Sequence, residues 1–160
     1  MKQIPYRHRN AAKIALTASA ALGPVGAFSA GEDILAVGSI WSACLISIAG
    51  KEGCTINKDT ALGICKSTAL GVAGYWAGCK LATKVFLFIP GAGVLAAMGV
   101  SSFANVLFTY RFVLTACEIF ANNANVGSLN LAELFERTKT MCNGNGFISD
   151  VKDIVSIYSN

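Results

Sequence analysis

The chain has 160 residues, of which only 14% are charged, and a mean hydropathy of +0.54. That length supports one domain with its own core, and so apolar a composition excludes disorder as the global state. The net charge of +4 sits at one end: Lys2, Arg7, Arg9 and Lys13 precede the first acid, Glu32, and the later bases and acids cancel. With no basic stripe and no aromatic platform, nucleic-acid binding is not expected.

Residues 1–10 read as a basic arm. A first helix follows from about Arg9 to Leu22, ended by Gly23-Pro24. The same stretch offers Ile14-Ala15-Leu16-Thr17 and the small residues Ala18-Ser19-Ala20, as a secretory leader would, although its apolar core is short and alanine-rich. Alternatively the arm lies on anionic lipid, with Arg7, Arg9 and Lys13 as candidate lipid-surface contacts. The plainest reading is a solvated helix end with His8 on the surface.

From Asp33 a second helix places Ile34, Val37, Ile40, Trp41, Cys44, Leu45 and Ile48 on one face, and Gly50-Lys51-Glu52-Gly53 ends it. A third helix opens at Asn57, a good N-cap, with Asp59 in its first turn, and runs towards Phe88. It carries Gly63, Ser67, Gly71, Gly74 and Gly78. Glycine is costly in a water-exposed helix, so these small residues predict a close helix–helix contact of the kind common in membranes. A tight soluble bundle uses the same device.

Val85–Ile89 and Pro90-Gly91-Ala92-Gly93 form either a strand and phosphate loop or a corner between two apolar helices. The dinucleotide reading needs a second strand ending in an acid about 20 residues on. The chain instead continues as an apolar helix through Val94, Phe103, Tyr110 and Ile119, and its next acid is Glu118. The corner is the better reading, with Pro90, Gly91 and Gly93 making the reversal. Beyond the polar Asn122–Asn125, a capping box at Asn130–Glu133 opens one more helix, Asn143–Gly146 is a turn, and a last helix begins near Ser149. The whole reads as an all-α bundle of about five to six helices with a central apolar hairpin. Its parts are a basic arm at 1–10, a helical domain at 11–122 and a C-terminal helical extension at 123–160.

No catalytic constellation, cofactor site or metal site is expected. Gly63–Thr68 lacks the glycine that a P-loop needs before its lysine, where Cys65 stands. A calcium loop over Met141–Lys152 would lack both end carboxylates. The six cysteines include no C-x-x-C pair, and Cys44, Cys65, Cys79 and Cys117 fall in apolar helical segments, which predicts buried reduced thiols.

The chain resembles the YcjF-type domain of unknown function found in bacteria alone or C-terminal to Era-like GTPase domains. The likeness runs from about Ala11 to Phe120. It rests on Pro24, Asp33-Ile34, Ile46-Ser47-Ile48-Ala49, Asn57–Leu62, Phe88-Ile89-Pro90-Gly91-Ala92-Gly93 and Thr109-Tyr110. It implies a membrane-associated helical protein working beside a GTPase. Any such GTPase would be a separate chain here, since this one carries no nucleotide site.

The expectation is thus a non-enzymatic helical module on the cytoplasmic side of the membrane. It would be peripheral or inserted through the hairpin, with lipid, a GTPase or a second copy of itself as partners. Lys80, Lys84 and Arg111 would snorkel at the hairpin base. The alternatives are a soluble cytoplasmic scaffold and a secreted or membrane-perturbing small protein.

Overall fold

The computed structural model describes residues 3–28, 32–72, 93–122, 136–138 and 146–159. Every element among them is helical, as the sequence predicts. A 3-10 turn (Tyr6–His8) leads into α1 (Arg9–Ala21), followed by α2 (Gly23–Phe28), α3 (Glu32–Lys51), α4 (Lys58–Gly71), α5 (Gly93–Asn122) and α6 (Phe147–Ser159). Residues 136–138 are also helical.

Three of the described boundaries follow from local chemistry. Pro24 lies in the first turn of α2, where its missing N–H costs nothing, so it opens a helix besides closing α1. At the end of α3, Gly53 takes a φ of +75°, Cys54 N–H bonds to Ala49 C=O at 2.9 Å, and Gly53 N–H bonds to Gly50 C=O at 3.3 Å. That paired arrangement is a Schellman cap, and only glycine enters it without strain. The Asn57 side chain accepts from Asp59 N–H at 2.8 Å and starts α4.

α3 forms the middle layer. It packs most extensively on α4, and on its other side meets α1 and α5; α2 lies along α5, and α6 crosses α1 and α5. The face read from the sequence is the buried one: Ile34, Val37, Trp41, Cys44, Leu45 and Ile48 are all in the core, with Ile40 packed at its edge. Trp41 stacks on Phe112 with ring centroids 4.3 Å apart.

The small-residue stripe expected to pack against a neighbouring helix meets none of the described helices in α4. Gly63, Ser67 and Gly71 are exposed, and a methyl group added at Gly63 would meet no atom within 4 Å. The opposite face, Ala61, Cys65 and Ala69, is buried against α3. The small residue that permits the close approach belongs to α3: a Cβ at Gly38 would stand 3.1 Å from Lys66 Cα. Two small-residue stripes run along α4, and the one flanked by Ile64 and Thr68 is buried because it continues the apolar face. Gly74 and Gly78 lie outside the described residues, as do Val85–Ile89, Pro90 and Gly91 of the corner; Gly93 is the first residue of α5.

Candidate functional site

The polar groups inside this bundle form two sets. The first is a neutral seam joining three helices. Trp41 Nε1–H donates to Thr109 Oγ1 at 2.9 Å, the Thr109 hydroxyl donates to Ser19 Oγ at 2.8 Å, and Asn105 Nδ2 donates to the Ser19 carbonyl at 3.3 Å. All four residues are buried, so each unmade bond would cost the desolvation of its group. The seam therefore fixes the register of α1, α3 and α5.

The second set is charged and gathers the ends of the chain. Residues 3–8, read as an arm, are folded onto the bundle: Ile4 and His8 are each 1% exposed, which corrects the surface placement of His8. His8 Nε2 lies 2.6 Å from Glu52 Oε1, and Arg7 Nη2 lies 2.8 Å from the same oxygen. Arg7 Nε also points at His8 Nε2, at 3.2 Å. A single ring nitrogen serves only one of these contacts at a time. Protonated, it donates to Glu52; bare, it accepts from Arg7. Lys51 Nζ donates to the Arg7 carbonyl at 2.6 Å.

The C-terminal segment is tied in by the same means. The Asp153 carboxylate accepts from Tyr110 Oη at 2.7 Å, from Ile4 N–H at 3.4 Å and from Ser156 Oγ at 3.3 Å. Burial, then the bond to Asp153, push the Tyr110 phenol well above its ordinary range. Arg111 places Nε and Nη2 at 2.9 and 2.8 Å from Asp150 Oδ2 and is 7% exposed. It is an interior ion pair in α5, not a residue snorkelling at a hairpin base. Its partner Asp150 comes from α6, a pairing that no local pattern encodes.

Beside the charged set lies a concave site of about 350 Å³ lined by Tyr6, Arg7, Arg9, Asn10, Lys13 and Ile157. The three cations singled out from the sequence, Arg7, Arg9 and Lys13, thus converge on one surface. They do so because the 3-10 turn and the first two turns of α1 place them on the side that faces α6. No acid is among the described lining residues. Arg7 is engaged by Glu52, and Lys13 Nζ stands 5.6 Å from the centroid of the Tyr158 ring, a cation–π contact. Arg9 has its Nε buried with no hydrogen-bond partner. Tyr6 stands at the rim, 84% exposed. Sequence reasoning missed Tyr6 and Asn10, although both lie within a turn of Arg9. It had no means of finding Ile157, which folding brings from the far end of the chain. Lys80 and Lys84 lie outside the described residues.

The described thiols Cys44, Cys54, Cys65 and Cys117 are free, as the sequence predicts. Burial pushes Cys44 and Cys117 up to about 12 and Cys65 further still. These three are not thiolates near neutral pH. Among the described residues no three His, Cys, Asp or Glu side chains stand together as a metal site would require.

Two helices are long and apolar enough to cross a membrane, Asp33–Lys51 and Gly99–Ala121. Of their apolar windows, 56% and 78% respectively is buried within the fold. Compared with known protein families, with curated proteins and with solved structures, the chain matches none.

Proposed function

We propose that this chain is a non-enzymatic helical module that attaches to the cytoplasmic face of a membrane through its N-terminal basic surface. The observation that supports this reading is the convergence of Arg7, Arg9 and Lys13 on one site with Tyr6 at its rim. Each basic side chain near an anionic leaflet contributes roughly 1 kcal/mol, and tyrosine favours the headgroup level, where its ring is buried and its hydroxyl hydrated. The YcjF resemblance points the same way and adds a separate GTPase chain as the partner to seek. The hairpin expected from the sequence, with its tip at Ile89–Val94, would supply deeper insertion; most of that tip lies outside the described residues.

The burial of both long apolar helices favours a second reading, a soluble scaffold. In that case their hydropathy serves a protein core and not a lipid contact. Sedimentation with anionic vesicles separates the two. Binding that falls steeply with salt supports surface attachment, and resistance to carbonate extraction adds insertion. Recovery of a monodisperse protein that ignores anionic vesicles overturns the membrane reading.

A secreted protein is the least supported form. Residues 9–21 contribute Ala12, Leu16 and Ser19 to the core and to the neutral seam, so their removal would open both. An intact mature N-terminus by mass spectrometry is the expected result. A crosslinking pull-down from native membranes, probed for a co-purifying GTPase, tests the partner.

A further inference from the structure

We infer that the pocket between the start of α1 and the last turns of α6 binds a phosphomonoester group. This rests on the membrane reading only for the source of that group. Three observations carry it.

The lining brings two guanidinium groups and one ammonium to a concave site with no acid among its described residues. A phosphomonoester answers this with three acceptor oxygens and a charge of about −1.5 to −2, whereas a diester or a carboxylate offers only about one charge. Next, Arg9 is the cation left over. Arg7 has Glu52 and Lys13 has the Tyr158 ring, but Arg9 holds a buried, unsatisfied Nε–H. A guanidinium in that state is the residue type best suited to oriented binding of an oxyanion.

Finally, α1 begins with no side-chain cap and no acid in its first turn, so the positive end of its dipole lies among positive side chains. An anion in the pocket relieves that repulsion. Asn10 adds an amide donor, and the apolar side of Ile157 leaves room for the carbon skeleton that bears the phosphate. The acids of the charged set are already engaged: Glu52 holds Arg7 and His8, and Asp153 holds Tyr110 and Ile4.

The unmodified chain is tested against phosphatidylcholine vesicles carrying either phosphatidic acid, a monoester, or phosphatidylglycerol, a diester, at matched surface charge. Inorganic phosphate is titrated separately while the backbone amides of Tyr6–Lys13 are followed by NMR. Arg9→Gln and Lys13→Gln serve as variants, with circular dichroism as the check on their fold. A preference for phosphatidic acid that falls about fivefold with each variant supports the proposal with lipid as the source. Binding to neither lipid, together with saturable phosphate shifts at these amides, supports it with a free phosphate compound as the source and removes the membrane reading. Charge-only vesicle binding without phosphate shifts overturns the phosphate site and leaves the membrane reading standing. The phosphate titration of the unmodified chain decides the matter even where a variant fails to fold.

Discussion

The centre of the bundle and its charged end handle buried polar groups in opposite ways. In the centre, Trp41, Thr109, Ser19 and Asn105 share neutral hydrogen bonds inside an otherwise apolar layer. At the end, Arg7, His8, Glu52, Arg111, Asp150 and Asp153 use charge to hold the N-terminal segment and α6 in place. Neutral bonds suit the centre because a buried charge costs several kcal/mol to desolvate even when paired. Charged contacts are tolerated at the end because each of the buried charges there has an ionic or hydrogen-bonding partner. The difference teaches that the centre sets helix register, while the end decides which segments close over it and shape the basic pocket.

Alkaline titration should break this arrangement most severely, and in the centre first. The folded state holds the protons of Cys44 and Cys117 up to about 12, against 9.0 in the unfolded chain. The unfolded chain therefore loses protons first. Stability from these thiols is full below pH 9 and is lost as pH rises towards 12, at about 1 kcal/mol per pH unit for each thiol. Urea unfolding at stepped pH should show that decline. Cys44→Ala with Cys117→Ala should make it shallower, leaving the share of Cys65, while Tyr110→Phe should remove only the share belonging to the charged end.

Next in size is Trp41→Ala, which removes the stack on Phe112 and the bond to Thr109 together. A loss of about 3–5 kcal/mol is expected from the cavity alone, read as a lower urea midpoint. Asp153→Asn should cost less, about 1–3 kcal/mol, since the Tyr110 and Ile4 donors are left facing a weaker acceptor. Its diagnostic is local. Hydrogen exchange should rise in residues 3–8 and in α6 while α3 stays protected; uniform loss across all helices would erase the distinction between the two regions.

The smallest effect sharpens the reading of α4. Gly63→Ala adds a methyl group to open space on a helix face and should stabilise the monomer by about 0.5–1 kcal/mol. If the exposed Gly63, Ser67 and Gly71 stripe serves a second copy or a lipid-embedded partner, the same change will lower self-association in a crosslinking assay while raising the melting temperature. No change in association would leave that stripe without a partner.

Several features were legible because their causes are local. Helix α3 declared itself through Ile34, Val37, Trp41, Cys44 and Ile48 at three- and four-residue spacing. Its end showed in Gly53, and the start of α4 in Asn57 and Asp59, because caps are formed by residues within one turn. The bases of the pocket were visible as an uncompensated cluster of charge in the first thirteen positions.

What the sequence by itself determined, then, was an all-helical chain, its main helix limits, the burial of the described thiols in its helices and the positive sign of its N-terminal surface. The tertiary structure alone decided that His8 and Arg111 are interior, since Glu52 and Asp150 lie 44 and 39 positions away. It alone chose between the two small-residue faces of α4, because either stripe permits close approach and only contact with α3 separates them. It also gathered three bases with Tyr6 and Asn10 into one pocket lined further by Ile157, a residue that only folding returns to the start of the chain. The physical reason is common to all three. Periodicity and capping report energies within one helix, whereas the pairing of charges and the choice of a packing face depend on which helix arrives alongside.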